Sequence, residues 1–319
     1  MRVLGTIAVR NGADIVEASV RHNLAALDGL VALVYGASDA TPAILAALAA
    51  EGLAVRAIVD PDPAADPNAL QERLRREAFA DPATDWVVGL EPGDFLKPAS
   101  RTTIHQALAA ADPQRPVALP VRTYIPDFGT TATSLERVAR ARRLAVEPHP
   151  LDRNAVPRAC VERAGDVPAG RSPAETIGVA RVPVRSIEQL TADGVMIHLA
   201  RLAAGTDAPS DAWADAVYAE VRAGRKPTAA LAEAAAVNGG IPRAQWVDPA
   251  AMPRVDDPFL APMTLAHTPA TPPYVLGQLM ALGEYLAWNE ARRIQSQLLR
   301  DTDAGAALAR GGAVREPPR

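Results

Sequence analysis

The feature that most constrains this chain is a change of hydrophobic period repeated along its first hundred residues. Short runs rich in β-branched residues alternate with amphipathic helical stretches, which calls for β-α-β units and a largely parallel sheet. Val3–Val9 reads as the first strand, followed by a helix over 14–27 in which Val16, Val20, Leu24 and Leu27 share one face. The second strand spans 30–35. Thr41 and Pro42 supply an N-cap and a proline at N1 for a helix that ends at Gly52, a C′ glycine. The third strand spans 54–59, a Pro/Asp/Ala loop covers 60–68, and a helix carrying Leu70, Leu74 and Phe79 follows. Trp86–Leu90 is the fourth strand and runs straight into Glu91-Pro92-Gly93-Asp94-Phe95.

Beyond residue 98 the order changes. A helix over 100–111 and a strand over 117–124 lead into irregular Arg- and Pro-rich sequence to about residue 175, with short strands expected at 158–162 and 176–180. Ser186-Ile187-Glu188-Gln189 fits the S-x-x-Q capping box, opening a helix that runs to about residue 203. Alanine-rich helices are expected at 211–223, 228–237 and 274–299, with a Pro-rich stretch over 239–271. In the last helix Leu276, Leu279, Leu282, Leu286 and Ile294 form an apolar stripe, read first as core packing and alternatively as a homodimer face. The tail over 301–319 has no apolar face and reads as disordered. This divides the chain into a main domain over 1–205, a helical extension over 206–300 packed on it, and the tail.

With 319 residues, 49% of them hydrophobic, the chain can bury one large core or a core with an appendage, which excludes collagen-like and wholly disordered readings. The 33 basic and 37 acidic residues leave a net charge of -4, so no summed positive field would grip a nucleic acid. Among the basic residues only Lys97 and Lys226 are lysines. The single cysteine, Cys160, excludes an internal disulfide and a multi-thiolate metal site, and it reads as a buried small hydrophobe. Residues 1–10 read as a strand rather than a signal peptide, and no apolar run approaches the length of a transmembrane helix. A soluble cytoplasmic protein without a transmembrane segment is therefore expected.

In an open α/β sheet, ligands bind outside the carboxyl ends of the strands. Three such ends are polar here: residues 10–14, 36–39 and 91–94. Carboxylates in the third position are the usual way to hold Mg²⁺ or Mn²⁺ against a diphosphate. Each end also has a plain structural reading, as a helix cap at Arg10 and Asn11, a turn at Ser38 and Asp39, and a β-turn with proline at i+1 at 91–94. The five histidines lack metal-ligand spacing, and His22 and His198 fall within helices as packing or surface residues.

Taken together, these segments resemble one family. Arg10-Asn11-Gly12-Ala13-Asp14-Ile15-Val16-Glu17 is similar to the R-N-E-x-x-I-x-E opening of bacterial glycosyltransferase family 2-like proteins. Gly36-Ala37-Ser38-Asp39-Ala40-Thr41 resembles their D-x-G-S-T-D-G-T loop, and residues 85–96 resemble their D-W-x-x-x-x-D-x-D-E-F-L segment. Residues 181–189 resemble H-x-P-x-R-S-x-E-Q. The four blocks stand in order over about residues 7 to 200. The resemblance implies an α/β GT-A fold with a mixed, mostly parallel sheet, a nucleoside-diphosphate-sugar donor, a small-molecule or glycan acceptor, and usually a divalent cation, Mg²⁺ or Mn²⁺.

The departures have a direction. Val34 stands where the family has the first aspartate of its strand-two loop, and Gly12 replaces the glutamate of R-N-E. In the D-x-D triplet Glu91 and Gly93 replace the two aspartates, Asp94 takes the place of the glutamate, and Arg181 takes the place of the histidine. Arginine cannot ligate a metal, but it pairs bidentately with a diphosphate. One hypothesis is a metal-independent transferase in which Arg181, with Arg185, neutralises the leaving diphosphate. The other is a degenerate member acting as a scaffold or running a different transferase reaction. On the first, Asp94 and Arg181 are catalytic candidates, Arg10, Asn11, Asp39 and Arg185 substrate-binding ones, and Glu91 with Asp94 the ligands of any metal; the resemblance places no general base, and Asp127, after the strand ending Arg122-Thr123-Tyr124, is the catalytic candidate for that role.

Overall fold

The period change at the N-terminus is realised strand by strand in a computed structural model of the chain. It describes residues 1–60, 67–130, 132–162, 172–173, 176–204 and 212–269, with isolated positions beyond. In chain order the elements are β1 (Val3–Val9), α1 (Val16–Leu24), β2 (Gly29–Tyr35), α2 (Thr41–Ala50), β3 (Val55–Asp60), α3 (Pro67–Phe79), β4 (Trp86–Leu90) and β5 (Asp94–Lys97). They continue with α4 (Arg101–Ala109), β6 (Val117–Ile125), α5 (Ser134–Ala139), β7 (Arg142–Leu144), β8 (Asp152–Pro157) and α6 (Arg158–Glu162). Last come β9 (Ser172–Pro173), β10 (Gly178–Arg181), α7 (Ile187–Ala204), α8 (Ala212–Arg222), α9 (Ala229–Asn238) and β11 (Arg254–Val255).

The sheet runs β3-β2-β1-β4-β8-β6-β7-β11. The first four strands are parallel, and β8 lies antiparallel between β4 and β6. Strand β10 pairs antiparallel with β5 and parallel with β6. This is the expected mixed α/β architecture, a parallel core flanked by helices. Alternation along β2 explains the layering, because successive side chains leave opposite faces of a strand. Leu30, Ala32 and Val34 pack with Val16, Val20, Ile44 and Leu48 of α1 and α2, whereas Val31 and Leu33 pack with Leu70 and Leu74 of α3. Each fully buried aliphatic side chain contributes about 1.5–3 kcal/mol of transfer free energy.

Met1–Val275 and Leu276–Arg319 form two compact units. The helix expected over 274–299 lies almost wholly outside the described residues, and the tail over 301–319 lies entirely outside them. Within the first unit Val217 of α8 and Ala232 and Ala235 of α9 cluster with Leu190 of α7. No helix among the described residues is long and apolar enough to cross a membrane.

Several local expectations need correction. Residues 158–162 form helix α6 instead of a strand: Pro157 ends β8, and the Arg158 guanidinium donates to the carbonyls of Phe79, Asp81 and Thr84, pinning the new direction. Thr41 does not cap α2. It is already helical, its N–H donates to Asp39 Oδ1 (2.9 Å), and its hydroxyl accepts from the Gly12 N–H (2.8 Å). Only half the capping box at 186–189 forms, because Gln189 Oε1 accepts from the N–H of Arg185 rather than that of Ser186. Finally, the stretch read as irregular up to residue 175 holds α5, β7 and β8. By contrast Gly52 is the C′ glycine of α2, with φ +88°, where a side chain would be strained.

Candidate functional site

The carboxyl ends of β1, β2 and β4 open onto a cavity of about 520 Å³, closed on its far side by the segment after β10 and by α7. Arg10 and Asn11 enter it from the end of β1, Tyr35 from β2, residues 91–94 from the turn after β4, and Arg181 and Arg185 from around the end of β10. Segments separated by up to about 170 residues of sequence thus meet at one place. Many of the hydrogen bonds that assemble them involve loop backbone, so turn chemistry as much as side-chain packing sets the shape.

Arg10 lies over the Tyr35 ring at 5.0 Å from its centroid, a cation-π contact at the β1 and β2 ends. Burial raises the Tyr35 pKa, and Arg10 opposes that rise. Asn11 Oδ1 accepts from the Ser38 N–H (2.9 Å) and ties the loop after β2 to the loop after β1. Asp39 completes the same tie, its two oxygens accepting from the N–H groups of Ala13 (3.0 Å) and Thr41 (2.9 Å). Asp39 is therefore a loop staple and does not line the cavity. Arg185 lines it, but its guanidinium forms a buried bidentate pair with Asp14, at 2.9 and 3.1 Å, so its charge is already answered. Asp127 is not brought to the cavity. It is exposed in the turn after β6, where its Oδ1 accepts from the Gly129 N–H at 2.8 Å.

The turn after β4 brings Glu91 and Asp94 together, as the sequence suggested, with a third residue that the sequence reading missed. Asp94 opens β5 and is fully buried. Its Oδ2 accepts from the Glu91 N–H (2.9 Å) and from Arg153 Nε (2.6 Å), and its Oδ1 has no hydrogen-bond partner. Arg153 Nη2 lies 2.7 Å from Glu91 Oε2, so one guanidinium spans both carboxylates. Burial pushes the Asp94 carboxyl up, and Arg153 pulls against that shift. Burial works against the Arg153 charge as well, but Asp94 and Glu91 outweigh it and raise its pKa. Arg181 sits opposite Asp94 in the β5–β10 ladder, with its Nε 3.7 Å from Glu91 Oε2 and no hydrogen bond from that nitrogen.

Gly93 explains why the middle carboxylate of the triplet is missing. A Cβ there would lie 2.3 Å from the carbonyl oxygen of Val182, whose N–H donates to Gly93 O at 2.8 Å. Backbone fills the place where a side chain would stand. The residues present do not fit a divalent cation, since Arg153 covers the facing oxygens of Glu91 and Asp94 and Gly93 can add none. Among the described residues no group of three or more His, Cys, Asp and Glu side chains is placed to hold a metal.

A second missed residue is Asp193 on α7, a carboxylate lining the cavity. Gln189 Nε2 donates to its Oδ2, burial pushes its pKa up, and Arg185 opposes that shift. Its i,i+4 spacing from Gln189 was the signal available in the sequence. The histidines behave as expected for packing residues where described: His22 is buried, with Nε2 2.9 Å from Leu96 O and its ring edge-on to Phe95. Cys160 is buried too.

No protein-family model and no curated protein matches this chain. Among solved structures it is similar to S. aureus TarS 1–349, at 12% identity and a TM-score of 0.37, over 69% of this chain and 70% of that one. The same TarS fragment in complex with UDP gives 12% identity and a TM-score of 0.38 over the same shares.

Proposed function

We propose that the protein transfers a sugar from a nucleoside-diphosphate sugar to an acceptor hydroxyl or amine, with arginines rather than a divalent cation opposite the diphosphate. One observation carries this reading. Three of the four sequence blocks that resemble the glycosyltransferase family, at residues 10–11, 91–94 and 181–189, line a single cavity at the carboxyl ends of the parallel strands. The fourth, at 36–41, is tied to the first through Asn11 and Thr41. The volume of about 520 Å³ is in the range of small-molecule sites.

In this reading Arg10 and Arg181 meet the diphosphate, and the Arg10–Tyr35 pair forms one wall beside the nucleoside. The acceptor oxygen or nitrogen attacks the anomeric carbon, the bond from that carbon to the diphosphate oxygen breaks, and the nucleoside diphosphate leaves with the electron pair. Charge-assisted hydrogen bonds from preorganised guanidiniums stabilise that departing charge. The acceptor's proton passes to a carboxylate, for which Asp193 is our candidate in place of the exposed Asp127. A group with a raised pKa suits a base that must hold and then return a proton.

The scaffold reading has its own support, because Asp94, Glu91 and Arg185 all have partners within the chain. Calorimetric titration with UDP-, GDP- and dTDP-sugars separates the two. Binding of one of them that weakens in Arg181→Ala supports the transferase; binding of none rejects it. Binding without release of nucleoside diphosphate in the presence of any acceptor would favour the scaffold.

A further inference from the structure

We infer that Arg153 is a tethered cation that excludes a divalent metal ion from the corner formed by Glu91 and Asp94. It is a positioning residue, acting through those two carboxylates. A hard cation needs several oxygen ligands converging on one point. Here Asp94 Oδ2 accepts from both the Glu91 N–H and Arg153 Nε, and Glu91 Oε2 faces Arg153 Nη2 at 2.7 Å. An ion bridging Asp94 Oδ2 and Glu91 Oε2 would have to stand where the guanidinium stands, and one on the unpartnered Asp94 Oδ1 would lie beside the same positive charge. The vacancy cannot be refilled from position 93, where the Val182 carbonyl leaves no space for a side chain.

Arg153 is also held from behind. It comes from β8, which is paired on one edge with β4 and on the other with β6, where Arg153 faces Leu119 and Asn154 faces Ala118. The ladder in the middle of the sheet fixes the backbone from which the guanidinium reaches the two carboxylates. Its side chain is 15% exposed, so little water competes for it. With Arg10 and Arg181 added, three guanidiniums stand against three carboxylates, Glu91, Asp94 and Asp193, so the corner is balanced without a metal ion. Because Arg153 answers Glu91 and Asp94, Arg181 is left to face a diphosphate, and for this use the inference rests on the function proposed above. Metal exclusion itself is independent of that function.

The test is an electron-paramagnetic-resonance titration of the whole protein with Mn²⁺, joined to calorimetry with UDP, GDP and dTDP. The wild-type protein should leave the free Mn²⁺ signal undiminished, and its nucleotide affinity should change less than about twofold between EDTA and Mn²⁺. Arg153→Met should take up one Mn²⁺ per chain. Arg153→Met combined with Asp94→Asn should lose it again, and Arg153→Lys should exclude the ion as the wild type does. Wild-type Mn²⁺ binding that disappears in Asp94→Asn would overturn the inference. So would a folded Arg153→Met, by circular dichroism, that binds none. Should Arg153→Met not fold, Arg153→Gln, which keeps a hydrogen-bond donor without the charge, takes its place in the titration with the same expected and overturning outcomes. Failure of every nucleotide to bind would reject the donor reading while the Mn²⁺ titration still judges Arg153.

Discussion

Asp14 and Arg185 stand 171 positions apart in sequence and meet through two buried hydrogen bonds, Arg185 Nε to Asp14 Oδ2 at 2.9 Å and Nη2 to Oδ1 at 3.1 Å. The pair fastens the first turn beyond β1 to the entrance of α7, so two walls of the cavity share one fastening. Removing one partner leaves a buried charge alone. Asp14→Ala or Arg185→Ala should each cost about 3–5 kcal/mol in denaturant unfolding, whereas the double variant Asp14→Leu/Arg185→Met should cost clearly less than the sum of the two. Additive losses would mean the two residues do not act as a pair.

Glu17 fastens a more distant segment. Its fully buried carboxylate accepts from the N–H groups of Ala266 (2.9 Å), His267 (2.9 Å) and Thr268 (2.8 Å), and from the Thr268 hydroxyl and Arg21. Burial alone would raise its pKa, but the backbone and side-chain donors win and hold it below the usual glutamate range. A depressed folded-state pKa adds stability that is present above the unfolded value and lost as the pH falls through the folded one. Wild type should therefore lose more stability than Glu17→Gln between pH 5 and about pH 3, followed by urea unfolding at each pH. At pH 7 Glu17→Ala should cost at least about 2 kcal/mol, since it strands buried donors.

Position 93 offers a test of why the carboxylate triplet is broken. Gly93→Asp restores an aspartate in sequence, but its Cβ meets the Val182 carbonyl at 2.3 Å. Forcing the β5 and β10 segments apart should cost about 1–3 kcal/mol or more. The variant should gain no Mn²⁺ binding. A stable Gly93→Asp protein that binds Mn²⁺ would show that the Val182 backbone yields.

In the proposed transferase Arg181 meets the diphosphate. Charge-assisted hydrogen bonds of this kind contribute about 1.5–3 kcal/mol, so Arg181→Ala should raise the nucleotide-sugar Kd by roughly tenfold or more in calorimetry, with thermal stability nearly unchanged. Asp127→Ala should leave the same Kd unaltered, because Asp127 only closes an exposed turn.

Asp193 is the candidate base, and burial raises its pKa. Its ionised form then dominates only above that raised value, so the rate of nucleotide release, with water standing in for the acceptor, should rise with pH through it. Asp193→Asn should lower the rate by about 10²-fold and flatten that limb of the profile. Its stability at neutral pH should be unchanged or higher, because a charge disfavoured by burial is removed while Gln189 keeps an acceptor.

Much of the frame was written in local signals. Period-2 and period-3.6 runs located β1 to β4 and the helices between them, and Gly52 marked the end of α2 where only a glycine sits easily. The site was half legible: Arg10, Asn11, Glu91, Asp94 and Arg181 do meet, because strand order carries their segments to one edge of the sheet. Strand β8 could not be read, since Asp-Arg-Asn-Ala-Val-Pro has little intrinsic β preference and ends in proline. It becomes a strand because β4 and β6 leave a gap with unpaired backbone groups on both sides. That tertiary choice brings Arg153 to Asp94. In the same way Asp39 looked like a substrate contact and Asp127 like a base as residue types, and only the packed loops spent their oxygens on backbone N–H groups. The sequence by itself determined the order of the elements and which polar residues stand at strand ends. Which carboxylates remain open and which cation answers Asp94 were decided by contacts between residues far apart in the chain, which no local propensity encodes.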